Sequence, residues 1–279
     1  MIEIKTFENG LEYIEISNSS ADARIAMQGA HLFHYRRGDE PPLLWLSPDS
    51  LFEPGKAIRG GIPVCWPWFG PHPSDNALPQ HGFARTSTWK LHETHETGED
   101  TSTITMRLHD SPETRKLWPF RFRLTLHVTV SRSLTVNLVT SNLDERPFEI
   151  SSALHSYISV SDIRRTTIEG LDGRRYFDKV TGSPGFQKGR LHIDRETDRI
   201  YQEVQYPLTV RNEEQTVNIH ARGSASAVVW NPWHDKCSVM TDMPDDGWKT
   251  MLCIEAANVM DDARVIEPGG EHTLTAAIS

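Results

Sequence analysis

Apolar and polar residues alternate with a period of two along much of this 279-residue chain. Such alternation is typical of β-strands that bury one face, because successive side chains of a strand point to opposite sides. Short strands with turn residues at close intervals predict an all-β sandwich or barrel. We predict strands within 11–16, 23–35 with an interruption at Gly29, 43–46, 90–95, 101–109, 121–130, 133–141, 148–160, 166–168, 217–221, 225–230, 251–259 and 264–278, and a long hairpin or excursion within 170–189.

One segment carries a helix signal. Ser111 can cap a single helical turn that has Pro112 in its first position. The chain has no repeat, low-complexity tract or linker that would divide it, and all-β domains often reach this length. We therefore expect one domain over residues 1–279.

Net charge excludes one class of partner. The chain has 29 basic and 38 acidic residues, a formal charge of −9. Because nucleic-acid affinity comes largely from neutralising phosphates with cations, we expect no nucleic-acid partner. A small phosphorylated metabolite stays compatible, since charges beyond about 8 Å are screened at physiological salt and a local pair of arginines can dominate.

The cysteines and the N-terminus bear on location. Cys65, Cys237 and Cys253 are far apart and have apolar or aromatic neighbours, which favours buried reduced thiols and a cytoplasmic protein. No run of 18 apolar residues and no signal-peptide pattern occurs. We expect no membrane association and no export.

The segment 57–89 contains five prolines and four glycines. Proline fixes φ and glycine permits positive φ, so this composition predicts an ordered, irregular loop rather than a helix. Its polar groups then become positioned donors. Two guanidiniums close together can clamp a phosphate or a carboxylate, although solvated surface arginines are equally compatible with the sequence. The polar groups in question are Arg59, Gln80, His81 and Arg85.

Two ionisable residues lie inside apolar runs. Glu255 occurs within 251–260, where an unpaired buried carboxylate costs several kcal/mol, so it either faces outward or serves a task. His155 lies on a predicted strand and shares a face with Ala153 and Tyr157. A lone histidine at this position is compatible with a structural role. Asp198 lies in a polar stretch and is compatible with a solvated surface position.

Six motifs occur in order along the chain. They are IRGGIPVCWPWFG (58–70), LPQHGFAR (78–85), ALHSY (153–157), ETDRIY (196–201), VWNPW (229–233) and CIEAANV (253–259). Together they closely resemble the signature stretches of the D-hexose-6-phosphate mutarotases, the glucose-6-phosphate 1-epimerase branch of the aldose 1-epimerase superfamily. One departure is Ala256, where relatives commonly have proline after the glutamate.

The resemblance implies a galactose mutarotase-like β-supersandwich that needs no metal or organic cofactor. It implies an enzyme that interconverts the α and β anomers of a hexose 6-phosphate, with glucose 6-phosphate as the foremost candidate. His155 would be the general acid and Glu255 the general base. Substrate binding would involve Arg59, Gln80, His81, Arg85 and Asp198, the two arginines as phosphate contacts; Trp230 and Asn231 match a motif without an assigned role.

The residue types suit this chemistry. A carboxylate with a raised pKa and a histidine of near-neutral pKa can remove and supply the protons that ring opening requires. Two alternatives remain. One is an aldose 1-epimerase for unphosphorylated sugars, in which the paired arginines would lack an anionic partner. The other is a non-catalytic carbohydrate-binding protein, which would not need an acid and a base. A zinc or cupin-type enzyme would require motifs that are missing here. We expect a monomer.

Overall fold

The structure, a computed structural model, describes all 279 residues and consists mainly of β-strands, which confirms the all-β prediction. The strands are β1 Ile2–Thr6, β2 Glu12–Ser17, β3 Ala21–Ala26, β4 His31–Arg37, β5 Val64–Cys65, β6 Lys90–Thr97, β7 Thr101–His109, β8 Phe122–Val130, β9 Leu134–Asn142, β10 Phe148–Ile150, β11 Ser152–Leu154, β12 Tyr157–Ser159, β13 Thr167–Glu169, β14 Arg175–Asp178, β15 Ser183–Phe186, β16 Leu191–His192, β17 Thr197–Tyr201, β18 Leu208–Arg211, β19 Thr216–Arg222, β20 Ser226–Asn231, β21 Met251–Asn258, β22 Arg264–Ile266 and β23 Glu271–Ile278.

Helical segments are short. No helix has the length and apolar character needed to cross a lipid bilayer. The helical segments are the α-helices α1 Pro112–Leu117 and α2 Trp233–Cys237 and the 3-10 turns Ala84–Thr86, Ile163–Arg165, Gly247–Lys249 and Met260–Asp262.

All strand pairs are antiparallel and form four sheets. The largest has the order β16-β13-β18-β19-β23-β9-β8-β7-β6, and the second has the order β15-β14-β17-β20-β21-β11-β5, with β12 also paired to β21. A four-stranded sheet (β1-β2-β3-β4) and the pair β10-β22 complete the fold. Strand β21 lies against β19 and β23, so the two large sheets pack as a sandwich. One core cluster of 63 buried residues draws side chains from the three larger sheets and from β10-β22. That the chain acts as one domain stays a prediction, which this shared core supports.

Most predicted strands occur within two residues of their expected positions, and 101–109 matches β7. The segment 23–35 folds as two strands, β3 and β4, because the chain reverses at the glycine that was expected to interrupt it. Segment 43–46 forms only isolated bridges. The sequence analysis missed helix α2 and the strands β1, β5, β16, β17 and β18. A five-residue helix such as α2 is too short to produce a 3.6-residue pattern. The predicted cap is present, since the Ser111 hydroxyl accepts the backbone N–H of Thr114.

Strand β21 is buried along its whole length. Alternation sends Leu252, Ile254 and Ala256 into the main core between the large sheets. Glu255 and Ala257 point to the opposite face, where Ala257 belongs to a smaller apolar cluster. Glu255 therefore faces away from the main core without facing bulk water, an arrangement that the sequence pattern alone could not distinguish.

The loop 57–89 is ordered and folds back on itself. The backbone N–H of His81 donates to the Gly70 carbonyl at 2.7 Å, and the N–H of Trp66 donates to the His81 carbonyl at 3.2 Å. His81 and Gly82 both have positive φ, 64° and 70°. A Cβ on Gly82 would lie 1.9 Å from the Trp66 carbonyl oxygen, so only glycine fits there.

We expect Gly82→Ala to lower the free energy of unfolding by at least about 3 kcal/mol, because it adds a backbone collision to the strain of positive φ. Chemical denaturation measures the change. Gly98→Ala is the matched control: φ is 66°, but the nearest atom to the added Cβ is an Asp100 oxygen at 3.7 Å. Equal losses in both variants would contradict the explanation.

Candidate active site

A cleft of about 230 Å³ opens on the face of the eight-stranded sheet that carries Glu255. It brings together all seven residues predicted to act on or bind the substrate; their individual roles stay predictions. A larger groove, of about 610 Å³, lies beside β3 and β4 and contains none of them. The cleft is lined by Arg59, Phe69, Gln80, His81, Arg85, His155, Lys179, Asp198, Trp230, Lys236, Met240 and Glu255.

Strand register explains why distant residues share this face. Asp198 on β17 pairs with Trp230 on β20, which pairs with Cys253 on β21. Directly paired residues of neighbouring strands point to the same side, and so do residues two apart along a strand. Glu255 therefore lies on the same side as Asp198 and Trp230.

His155 reaches this face through a break in the predicted strand 148–160. Strands β11 and β12 both pair with β21, with Leu154 opposite Ala256 and Tyr157 opposite Cys253. The register is the same on both sides of the break, so His155 lies opposite Glu255. Its backbone N–H donates to the Pro63 carbonyl of the loop instead of to β21.

The two side chains are in contact. Nε2 of His155 lies 3.2 Å from Oε1 of Glu255, and Glu255 is only 1% exposed. Oε2 of Glu255 and Nδ1 of His155 are buried and have no hydrogen-bond partner in the protein. A buried polar atom without a partner costs about 1–3 kcal/mol, which marks both atoms as candidates for contact with a ligand.

The surroundings shift both groups toward their neutral forms. Burial raises the pKa of Glu255 well above its usual value, and the nearby charge of Asp198 adds to this effect. Burial also lowers the pKa of His155 well below its usual value, helped by His81, Arg85 and Arg59. The expectation of a near-neutral histidine pKa is thus wrong. Both groups therefore favour their neutral forms, and transfer of a proton from the carboxyl group to the imidazole would create a carboxylate base and an imidazolium acid.

His81 is fixed as a neutral donor. Its Nδ1 accepts the backbone N–H of Gly70 at 3.1 Å, so the ring proton is on Nε2. Burial and the neighbouring cations Arg85, Lys179 and Arg59 lower the pKa of His81 to about 3. The imidazole therefore offers an uncharged N–H to a sugar oxygen.

Four cations line the cleft, and three have carboxylate partners. Arg59 bonds Asp242 at 3.0–3.1 Å and also donates to the Tyr157 hydroxyl at 3.0 Å. The other two pairs are Lys179 with Asp198 at 2.8 Å and Lys236 with Glu196 at 2.7 Å.

Arg85 differs from the other three cations. Its guanidinium donates to the backbone carbonyl of Gln80 at 2.7 Å and contacts no carboxylate within salt-bridge distance. Its charge is therefore the most available to an anion.

Several lining residues escaped sequence reasoning. Lys179 follows the hairpin strand β14, and Lys236 and Met240 lie in or after the missed helix α2. Of the two residues without an assigned role, Trp230 lines the cleft, whereas Asn231 is buried behind it and donates to the Trp248 and Met251 carbonyls. No cluster of three or more His, Cys, Asp or Glu side chains suitable for holding a metal ion occurs in the structure.

Comparisons with known proteins find similar sequences and structures over nearly the whole chain. The family model for aldose 1-epimerase matches residues 12–279. A protein of Escherichia coli K12 with the provisional name glucose-6-phosphate 1-epimerase is 38% identical over 94% of this chain and 88% of its own length. A provisionally named mutarotase of Salmonella typhimurium has a solved structure that is 32% identical, has a TM-score of 0.93 and covers 99% of this chain and 92% of its own.

A more distant structure identifies the fold. A galactose mutarotase-like protein of Lactobacillus casei superposes with a TM-score of 0.74 over 96% of this chain and 99% of its own, at 18% identity. Together with the family match, this likeness confirms the galactose mutarotase-like β-supersandwich.

We expect Glu255→Gln to stabilise the fold at neutral pH by on the order of 1 kcal/mol. The pKa of Glu255 is raised in the folded protein. The contribution of Glu255 to the free energy of unfolding is therefore complete below its pKa in the unfolded chain, about 4.3, and is lost as the pH rises through its pKa in the folded protein. Urea unfolding at neutral pH and near pH 4 measures the difference in free energy of unfolding between the wild type and Glu255→Gln. This difference should vanish at the lower pH. The exposed strand residue Glu149 supplies the control variant Glu149→Gln. A gain of equal size at both pH values would disprove this account.

Proposed function

The chain belongs to the aldose 1-epimerase family, and we propose that it interconverts the α and β anomers of a hexose 6-phosphate, with glucose 6-phosphate as substrate. The observation that carries the proposal is the contact between His155 and Glu255 in a cleft that also holds an arginine without a carboxylate partner. The name of the Escherichia coli relative points to the same substrate, and the Salmonella relative is named a mutarotase.

The reaction needs one base and one acid. Glu255, as carboxylate, takes the proton of the anomeric hydroxyl O1, while the His155 imidazolium protonates the ring oxygen O5. The C1–O5 bond breaks and C1 and O1 form an aldehyde. After rotation about C1–C2, the C5 hydroxyl attacks the other carbonyl face and the two groups exchange roles, so protons and electrons balance.

The short distance within the pair suits this chemistry. O1 and O5 are bonded to the same carbon, so the groups that serve them must also be neighbours. His155 and Glu255 meet this condition at 3.2 Å. The ring of His155 stacks on Tyr157 at 4.8 Å and 15°, which restrains its orientation.

Charge supports a phosphorylated sugar. Arg85 is half-buried and has only neutral partners, so a phosphate can satisfy its remaining donors in a bidentate contact. Arg59 is held by Asp242 and Tyr157 and offers fewer free donors. We therefore assign Arg85 as the principal phosphate contact and Arg59 as a secondary one. Gln80, His81 and Asp198 are left to bind the sugar hydroxyls.

We also propose that the enzyme acts in the cytoplasm as a monomer. All three cysteines are buried and free, as expected for a protein that matures without oxidation.

Magnetisation-transfer NMR tests the reaction by measuring exchange between the two anomers. Wild-type protein should accelerate exchange of glucose 6-phosphate above the spontaneous rate. His155→Ala and Glu255→Gln should each reduce this acceleration by about 10²–10⁴-fold, the usual contribution of a general acid or base.

His192→Ala is the matched control, because this exposed histidine lies on β16 in the other large sheet. It should exchange the anomers at the wild-type rate. Binding of the sugar without accelerated exchange would refute the enzymatic proposal and favour a carbohydrate-binding protein. Equal acceleration of glucose and glucose 6-phosphate would favour an epimerase for unphosphorylated sugars.

Arg85→Met should lower kcat/KM for glucose 6-phosphate by about 10- to 100-fold, the loss expected for a charged hydrogen-bonding contact. The residual rate with glucose should change little, because a neutral sugar makes no use of the guanidinium charge. Arg121→Met, which removes an exposed arginine without an ion pair, is the control. An Arg85→Met enzyme that keeps its preference for the phosphorylated sugar would contradict the assignment.

A further inference from the structure

Two dipeptides that each join an acid to a base, Asp178-Lys179 and Asp198-Arg199, lie side by side in the eight-stranded sheet. Asp178 of β14 pairs with Arg199 of β17, and the backbone N–H of the next residue, Lys179, donates to the Asp198 carbonyl at 2.8 Å. Each acid thus faces a base across the strands. The side chains form two ion pairs, Arg199 with Asp178 at 2.9 Å and Lys179 with Asp198 at 2.8 Å.

The two pairs lie on opposite faces of the sheet, because neighbouring residues of a strand point to opposite sides. Lys179 and Asp198 line the cleft, whereas Asp178 and Arg199 do not. The Lys179 ammonium also lies 5.6 Å from the centroid of the Phe69 ring, so a carboxylate and an aromatic face both restrain it.

Resting on the proposed function, we propose that Lys179 is a positioning residue: it fixes the Asp198 carboxylate for contact with the sugar and compensates the negative charge that Asp198 directs at Glu255. The Lys179 ammonium needs no contact with substrate to do this. Its effect passes through the 2.8 Å ion pair.

The charges around Glu255 make this compensation necessary. Besides burial, the negative charge of Asp198 raises the pKa of Glu255, while the positive charges of Lys179 and Arg85 lower it. Without the ammonium, Asp198 would oppose ionisation of the base more strongly, and the carboxylate form would become scarcer at a given pH. The titratable and charged groups around Glu255, from the surrounding elements, are Arg59, Cys65, His81, Arg85, His155, Tyr157, Lys179, Asp198, Lys236 and Cys253.

Anomer exchange of glucose 6-phosphate, measured against concentration and pH, tests the proposal in Lys179→Met and Lys179→Arg. Lys179→Met should move the acidic limb of the kcat profile upward by about one pH unit, as expected when an opposite charge is removed. Its KM should rise about tenfold, since the Asp198 carboxylate loses its orientation. Lys179→Arg keeps the cation and should restore the wild-type pH profile.

Arg199→Met is the matched control, because it breaks the companion ion pair on the same strands but outside the cleft. It should leave the pH profile and KM unchanged. Lys179→Gln is a second neutral variant, for use should the methionine variant fail to fold. Its amide still donates to Asp198, so it should shift the pH limb with a smaller rise in KM.

The outcomes separate the two proposals. A wild-type enzyme that exchanges the anomers, together with Lys179 variants that behave like Arg199→Met, would overturn the role of Lys179 and leave the proposed function intact. A wild-type protein without exchange at any pH would overturn the proposed function and this role with it. An acidic limb of the kcat profile that shifts in Lys179→Met and returns to its wild-type position in Lys179→Arg supports both the proposed function and the role of Lys179.

Discussion

The contact between His155 and Glu255 depends on one strand register. Strands β11 and β12 pair with β21 on either side of a two-residue gap without losing alignment, so His155 lies opposite Glu255. The loop 57–89 supports the gap by accepting the backbone N–H of His155 at Pro63. Because β21 lies in the middle of the sheet and is buried on both faces, the position of Glu255 is as rigid as the core.

Electrostatics in the cleft couple the phosphate to the acid. Burial lowers the pKa of His155, and His81 and the positive charges of Arg85 and Arg59 lower it further. A phosphate bound to these arginines would compensate their charge and raise that pKa, since a nearby anion favours imidazolium. The same phosphate would offset the help that Arg85 gives to ionisation of Glu255, which leaves Lys179 as the cation that favours the carboxylate. In this account, the phosphate does more than anchor the sugar, because it helps to create the acid, while Lys179 supports the base.

Sequence patterns predicted the fold class and most strands, since period-two alternation reports burial directly. They also singled out seven cleft residues, but only the ordered motifs assigned them to one site, because no single pattern shows that Asp198 and Glu255 share a face. Lys179 could not be found this way. Its partner lies 19 positions away, and the matched acid and base dipeptides acquire meaning only when β14 and β17 are aligned. The near-neutral pKa expected for His155 failed because burial depends on packing that one strand cannot reveal.

The most direct test of the central claim is a crystal structure of the Glu255→Gln variant with glucose 6-phosphate bound. The account predicts that the ring oxygen O5 lies within hydrogen-bonding distance of a ring nitrogen of His155, that O1 contacts the substituted side chain, and that the phosphate contacts Arg85. A phosphate at Arg85 with the anomeric carbon remote from His155 would contradict the acid–base assignment. A sugar bound in the opposite direction, with its phosphate away from Arg85, would contradict the role given to the cleft's cations.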